Sequence, residues 1–550
     1  MKLRSLYDMC HSQIIANMRA GFWNRCKENP FKKVPPVIVH NFAELIFSMD
    51  FKQLPNHETL YLLFTSRRPK KLDLSCFSVP ASLTYDGNDP YTPSHLKREI
   101  DILEALREPM GERYVLYYFR RVTSIHQRTK KHMEDECNSF LYMLSKHALP
   151  HLKSFVMTEE MKLSKFALQP LIQASTNLTE IHTCLHWFDL NVLMNYKKLR
   201  VLRLHFPPRS YFEDCPEELL ETCGRVLPTL DLKIFTICNS ETDCFGMHPL
   251  TAIALAHCPR LTSVGPLDSA MAIDYIKTKS RTSYFKLKKC FWGVDASKES
   301  SYRWDALRNL GSRFPKLIKT AVSCCPSVEE LILQVVNKDC LQHLRRLERL
   351  KSLCLDYEYC DDFDIDECLS SLGEIKHQLK HFILREATQV NANRRFPLNV
   401  ITDSCENLET LAVRQFSVIN MPLETNASFR RLKRISILTE LDYLSQILRY
   451  CDNLTDLILL GPFPIDESEF YETLGQISVL KLQTFGMYAH YFSSDAMRML
   501  LSKAPNLGRI CVKMTLEPFS LFLQFCDIVE YDFDLFDELY FPTEFQKCVF

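Results

Sequence analysis

The sequence predicts an α/β chain built of stacked strand–helix units, and three observations predict it. One short pattern recurs: apolar, two variable, apolar, one variable, apolar, as in Leu199-Arg200-Val201-Leu202-Arg203-Leu204 and Leu350-Lys351-Ser352-Leu353-Cys354-Leu355. The later copies, beginning at Leu350, Leu379, Leu408, Leu432, Leu454, Ile477 and Leu507, stand 22 to 30 residues apart. Before most of them an amphipathic helical stretch ends in Cys-Pro, Cys-x-Asn or Ala-Pro-Asn, as at Cys325-Pro326, Cys405-Glu406-Asn407 and Ala504-Pro505-Asn506.

Each unit joins a short strand of period two to a helix of period 3.6, and neither half can bury its apolar face alone. Stacking the units makes one continuous core. This is the logic of a leucine-rich repeat, with parallel strands on the concave side of a curved solenoid and helices on the convex side. Less regular copies begin at Leu152, Leu178, Leu230, Leu261 and Val328. A doubly wound α/β domain is the competing arrangement, but it asks for longer strands and leaves the recurring spacing without a cause.

Taken in order, residues 1–55 form a small helical unit. Leu3, Leu6, Cys10 and Ile14 recur at three- and four-residue steps and make one apolar stripe on a helix. Ser5 can cap that helix, with Asp8 as its capping-box partner, and Leu3 then falls outside it. Pro30 ends any helix carrying Phe22, Trp23 and Cys26, and Pro35-Pro36 starts another. That helix is expected to place Val34, Ile38, Phe42 and either Leu45 or Ile46 on one face.

Residues 56–140 hold the first strand pattern, Leu72-Asp73-Leu74, and then an interruption over 83–135 that is either an irregular repeat or a surface insertion. Regular repeats follow over 141–525. Residues 526–550 alternate acidic side chains with Phe533, Leu535 and Phe536, which suits a C-terminal cap over the last repeat.

Composition narrows the function. At 550 residues the chain is too long for one ordinary core. Lys plus Arg equals Asp plus Glu at 67 each, so no bulk charge draws it to nucleic acid or an anionic membrane. Only 13 glycines are present, which disfavours phosphate-cradling loops as an organising theme. The 22 cysteines are scattered through apolar runs without a CxxC framework or matching histidines, so a reducing compartment, cytoplasmic or nuclear, fits better than a disulfide scaffold or zinc. No run of about 18 apolar residues offers a membrane span. The start lacks the apolar core of a signal peptide, and Cys548 stands one place too late for prenylation.

Enzyme signatures such as G-x-S-x-G, G-x-x-x-x-G-K-[ST] and H-E-x-x-H are missing, so we expect no catalytic residue, cofactor or metal. The acidic run from Asp356 to Glu367 lacks the spacing and central glycine of a calcium loop and is expected to be solvated.

Two motifs carry a resemblance. Ser5-Leu6-x3-Cys10-x3-Ile14 resembles the BC box by which substrate receptors of cullin–RING ubiquitin ligases hold elongin C, and Val34-Pro35-Pro36-Val37-Ile38-x3-Phe42 resembles the cullin box of receptors that use cullin-2. With leucine-rich repeats behind them, the order is similar to ZYG/ZER and PRAME-like receptors. The resemblance implies that Leu6, Cys10 and Ile14 bind elongin C, itself paired with elongin B. It likewise implies that Val34, Pro35, Ile38 and Phe42 face the cullin. Strand-bearing repeats run almost to the end in place of the armadillo-type region of ZYG/ZER proteins, so their substrate preference does not transfer. Residues 35–47 also resemble an F-box, which would exchange the partners for SKP1 and cullin-1. A plain repeat scaffold, its first stripe docked on its own core, is the remaining reading.

A substrate protein or degron peptide would meet the outward residues of the strands. In the late repeats these include Arg385, Arg414, Arg434, Lys481, Arg509 and Lys513, preceded by Arg203 and His205. They form a basic track, diluted by Asp356, Asp456 and Thr410, that would suit an acidic or phosphorylated peptide.

Overall fold

A computed structural model of the chain describes residues 13–18, 20, 22–23, 28–47, 57–66, 70–73, 137–146, 149–157, 165–184, 190–205, 217–238, 248–279, 284–293, 311, 313–357, 364–385, 395–419, 431–439, 451, 453–459, 481–487, 494–507, 509–512 and 534–536. The chain divides into two compact units, residues 2–245 with 256–261, and residues 246–255 with 262–550.

The first unit begins with helices. Residues 13–18 are helical and bury Ile15 and Met18. Next come α1 (Pro36–Phe47), α2 (His57–Thr65) and a helix over 137–145. Helix α1 begins at Pro36, as the Pro-Pro pair predicts, because a proline at the first turn has no N–H to waste. Its inward face is Val39, Phe42, Ala43 and Ile46, an i, i+3, i+4, i+7 set. Val34 and Ile38 are only half-buried, so the face is turned from the one the sequence suggested and shares only Phe42 and Ile46 with it.

Polar ties fix these helices. The Asn29 amide donates to Leu62 O at 2.6 Å, its oxygen accepts from Phe31 N at 3.0 Å, and the Thr59 hydroxyl donates to Met18 O at 3.1 Å. Phe64 meets Phe140 edge-to-face at 5.8 Å. Strands β1 (Lys71–Asp73), β2 (Ser154–Val156), β3 (Glu180–Cys184), β4 (Val201–His205) and β5 (Ile234–Cys238) then pair in parallel, each with the next. Leu72, Phe155, Ile181, Leu202 and Phe235 fall in one register row, and all are buried.

The second unit repeats this scheme. Its strands are β6 (Ser263–Asp268), β7 (Lys289–Trp292), β8 (Glu330–Gln334), β9 (Ser352–Asp356), β10 (His381–Arg385), β11 (Arg395–Pro397), β12 (Thr410–Ile419), β13 (Arg434–Thr439), β14 (Asp456–Leu459), β15 (Thr484–Met487), β16 (Arg509–Val512) and β17 (Asp534–Phe536). All pair in parallel with their neighbours, and β11 alone lies alongside, against the far end of β12. Between them lie helices on the apolar side, among them α3 (Lys165–Ala174) and α4 (Glu217–Val226) of the first unit and α5 (Phe314–Cys324), α6 (Ile365–Leu372) and α7 (Ser494–Lys503) of the second.

The expectation of a helix with period 3.6 in every repeat gives way in places. Leu190–Asn195, Lys338–Arg346 and Gly373–Gln378 are 3₁₀-helical. A 3₁₀ turn rises about 2.0 Å per residue against about 1.5 Å, so it crosses the layer with fewer residues where a repeat is short.

One backbone device sets the register throughout. Two consecutive N–H groups entering a strand donate to a single carbonyl of the preceding repeat: Lys351 and Ser352 to Glu329 O at 2.8 and 3.0 Å, then Lys380 and His381 to Lys351 O at 2.8 and 3.1 Å. Asparagines add a second ladder. Asn177 donates to Pro150 O at 2.7 Å and accepts from Lys198 at 2.8 Å, and Asn407 donates to His377 O at 2.6 Å and accepts from Arg431.

The cysteines that end the helical stretches are thiols packed inside. Burial pushes Cys258 up to about 11 and Cys405 up to about 12, so they act as small apolar residues rather than nucleophiles.

Two copies start later than the sequence reading placed them. The copy assigned to Ile477 begins at Leu482, whose Phe485 and Met487 pair with Leu457 and Leu459. The copy assigned to Leu230 begins at Leu232, with Phe235 in the buried row. A further copy, Leu287-x2-Cys290-x-Trp292, is masked in the sequence because Cys and Trp replace the usual leucines.

Candidate functional site

Among the described residues no group of three or more His, Cys, Asp and Glu could hold a metal ion. No helix there is long and apolar enough to cross a membrane. In the acidic run, Asp364 caps α6 by accepting from Asp366 N at 2.9 Å and Glu367 N at 3.4 Å. Two surfaces carry the residues that the sequence singled out: the helices of the first unit and the strand face turned away from the repeat helices.

At the helical end, Leu6 and Cys10 lie outside the described residues. Ile14 is half-buried, at the edge of the face that Ile15 and Met18 bury. Pro35 and Pro36 are exposed, and Val37 is 64% exposed, while the opposite side of α1 is locked inside. Phe42, expected on the partner side, is 2% exposed. Phe22, at 68% exposed, leans edge-to-face on Trp23 at 6.0 Å, and Trp23 meets buried Phe31 at 5.6 Å. Phe22 and Val37 had no signal in the sequence beyond being apolar, since exposure follows from packing.

The outward strand face differs between the units. In the first, Glu180 and His182 stand two residues apart on β3, so both project to the same side. Glu180 Oε1 meets His182 Nε2 at 2.9 Å, and Ser154 donates to Oε2 at 2.8 Å. The His182 hydrogen bond holds the Glu180 carboxyl down to about 2, against the upward push of its burial. Arg203 on β4 is the register partner of His182, and its Nε is buried without a hydrogen-bond partner.

In the second unit the central outward row is apolar: Ile332, Cys354, Ile383 and Ala412 form one buried cluster, with Phe291 packed against it. Beside that row the charges match across strands. Lys289 meets Glu330 at 2.7 Å and Arg434 meets Asp456 at 3.2 Å. One residue earlier, Lys288 and Lys351 clasp Glu329 at 2.7 and 3.2 Å, and Lys380 and Lys433 clasp Glu409 at 2.9 and 2.7 Å. The two lysine hydrogen bonds hold Glu409 down to about 2 and lower Glu329 as well. His381 is held below the ordinary imidazole range by burial, reinforced by Arg434, Lys380 and Lys433.

Of the basic track, Arg434 is thus paired with Asp456. Lys481 lies in the turn before β15, where it donates to Asn453 at 2.6 Å, because the repeat begins at Leu482. Arg385 is the register partner of Asp356, and Arg509 that of Asp534. Arg414 lies on β12, and Lys513 lies outside the described residues. The sequence reading named these residues but not the acidic neighbours that stacking brings beside them.

No family model matches the sequence. No curated protein matches it. Among solved structures, the chain is similar to the leucine-rich repeat-containing protein LegL7 from Legionella pneumophila, at 13% identity and a TM-score of 0.25 over 48% of this chain and 93% of that one. It is also similar to a chain of the Rad7 and Elc1 complex from yeast, at 11% identity and a TM-score of 0.32 over 94% of this chain and 96% of that one. A third is the plant peptide hormone receptor RGFR1 in complex with RGF2, at 12% identity and a TM-score of 0.22, covering 67% of this chain and 52% of that chain.

Proposed function

We propose that the chain is the substrate-recognition subunit of a cullin–RING ubiquitin ligase, acting without chemistry of its own in the cytoplasm or nucleus. Residues 1–55 form the handle: Leu6, Cys10 and Ile14 seat on elongin C, which carries elongin B, and Val34, Pro35 and Ile38 face cullin-2, with Phe42 holding their helix from behind. The repeats form a curved leucine-rich-repeat solenoid whose strand face holds a substrate near the RING–E2 pair, raising the effective concentration of its lysines.

The observation that carries this reading is the start of α1. Pro35, Pro36 and Val37 are kept out of the core while Val39, Phe42, Ala43 and Ile46 fix the same helix rigidly. An apolar edge on an anchored helix is what a partner protein needs, because little ordering entropy remains to be lost on binding.

Copurification from cells tests it. Elongins B and C with cullin-2 should accompany the full chain, Leu6→Ala with Cys10→Ala should remove all three, and Val37→Asp should remove the cullin alone. Recovery of SKP1 with cullin-1 would select the F-box version. Recovery of neither set would leave an interaction scaffold, and insolubility of the Leu6/Cys10 variant would mean that its stripe belongs to the chain's own core.

A further inference from the structure

We propose that the edge at which the chain enters β1–β5 is an interaction surface for an acidic segment of a partner protein, with Lys70, Lys153 and Lys233 as its cations. This goes beyond the ligase reading and holds for a plain scaffold as well, because it draws nothing from the helical handle.

The backbone builds the row. Each repeat of the first unit enters its strand by giving two N–H groups to one carbonyl of the repeat before it. Lys153 and Ser154 donate to Lys70 O at 2.8 and 3.1 Å, and Thr179 and Glu180 to Lys153 O at 2.7 and 3.1 Å. Arg200 and Val201 donate to Thr179 O at 2.8 and 3.0 Å, and Lys233 and Ile234 to Arg200 O at 2.7 and 3.0 Å. Lys70, Lys153, Thr179, Arg200 and Lys233 therefore stand in line, each about 4.8 Å from the next. Lys70, Lys153 and Lys233 are exposed, so a partner can reach them from solvent.

The second unit shows what this row does when it is neutralised from within. Its order there is Lys288, Glu329, Lys351, Lys380, Glu409, Lys433, and each glutamate is clasped by the lysines on both sides at 2.7 to 3.2 Å. In the first unit the place between Lys153 and Arg200 belongs to Thr179, which gives its hydroxyl to Lys153 O at 3.1 Å and carries no charge. Lys70 and Lys153 stand side by side, and among the described residues neither side chain has an ion pair. Like charges on neighbouring strands oppose each other. Asp231 does not relieve them, since it already lies between Arg200 at 3.1 Å and Arg260 at 2.8 Å. The row keeps positive charge that its own repeats leave unbalanced.

Geometry and chemistry select the partner. From Lys70 to Lys233 the row runs about 19 Å, the length of about six extended residues. Lysines are flexible point charges, which suits carboxylates whose places vary along a segment. A nucleic acid is less well served, because none of the five residues is aromatic and none can stack on a base.

The test uses the full chain and a fluorescent peptide of about six glutamates, blocked at both ends, beside a glutamine peptide of equal length. Fluorescence polarisation at about 50 mM salt should show the glutamate peptide bound at least about tenfold more tightly, an advantage lost at about 1 M salt. Lys70→Ser with Lys153→Ser should weaken it about tenfold. Thr179→Glu should weaken it too while raising the melting temperature, because it installs the clasp of the second unit. Lys288→Ser, at a lysine already clasped, should leave binding unchanged. Equal binding of the two peptides overturns the proposal, as does binding that survives both the double variant and Thr179→Glu, or that falls as far with Lys288→Ser. Should the double variant fail to fold by circular dichroism, Thr179→Glu alone decides. Tighter binding of a single-stranded oligonucleotide of equal charge, or of phosphatidylserine vesicles, overturns the assignment to a protein segment.

Discussion

The outward strand faces of the two units share a backbone and differ in who satisfies each charge. On β7–β14 every described cation of the first outward row has an acid from the next strand, and the row beside it is apolar. On β2–β4 the acid, Glu180, bonds within its own strand and to Ser154, and Arg203 acts on it as a nearby charge while its own Nε has no hydrogen-bond partner. Parallel stacking places equivalent positions of successive repeats side by side, so a charge is neutralised only when the next repeat supplies its complement. The difference separates a face whose charges pair from strand to strand from one whose acid pairs first within its own strand.

The largest expected effect tests whether the apolar row of the second unit is core. Leu353 on the helix side is fully buried, and Ile383 on the opposite side is 1% exposed. Alanine at either should cost about 3 kcal/mol, within the usual range for cavity-creating changes. Arg203→Met, by contrast, should change stability by less than about 1 kcal/mol, because the loss of its charge beside Glu180 is offset by removing an unmade Nε donor. Thermal and urea unfolding of the three variants measure this. An Ile383→Ala cost no larger than a surface change would break the comparison.

A smaller effect comes from Gly293, just after β7. A Cβ there would stand 2.4 Å from Gln334 Oε1 and 2.7 Å from the Phe291 ring. Gly293→Ala should cost about 1–2 kcal/mol, as overpacking does. Phe291→Ala in the same chain should recover part of that loss if the ring, and not the glycine backbone, is the obstacle.

How much of this was legible follows the same division. The apolar rows were readable because strand alternation writes them locally, and Leu199 to Leu204 or Leu350 to Leu355 needed no partner to be recognised. Where one leucine serves two overlapping patterns, as Leu482 and Leu232 do, local reading slipped by a few residues, since only pairing with β14 and β4 decides the start. The ion pairs were illegible for a deeper reason. Arg434 and Asp456 are a repeat apart in sequence and become neighbours only after the register is known. At the helical end the motifs were visible, but exposure of Val37 against burial of Phe42 depends on which side of α1 the other helices cover.

Asp456→Asn sharpens the comparison from the other side. It should remove the carboxylate that meets Arg434 Nε, with Thr455 still able to bond the altered side chain. The expected cost is about 1 kcal/mol, since the pair is partly exposed. Arg434→Met together with Asp456→Asn should cost less than the two changes summed, as a double-mutant cycle on melting would reveal.

The smallest effect is acid sensitivity, and salt divides it between the units. Glu409 and Glu180 both titrate near about 2 when folded, below the ordinary 4.5. A depressed carboxyl contributes stability that is fully present above about 4.5 and is lost as pH falls toward about 2. Partial exposure limits each contribution to about 1 kcal/mol. The causes differ, however: both donors on Glu409 are lysines, whereas one of the two donors on Glu180 is the neutral hydroxyl of Ser154. Interactions between charges are screened at about 1 M salt, whereas a hydrogen bond from a neutral hydroxyl is not. Melting curves between pH 5 and pH 2 should therefore show Glu409→Gln flattening the acid limb at low salt and doing little in about 1 M sodium chloride. Glu180→Gln should flatten it in both. Equal salt dependence of the two variants would mean that charge alone holds Glu180 down and that the Ser154 hydroxyl adds nothing to it.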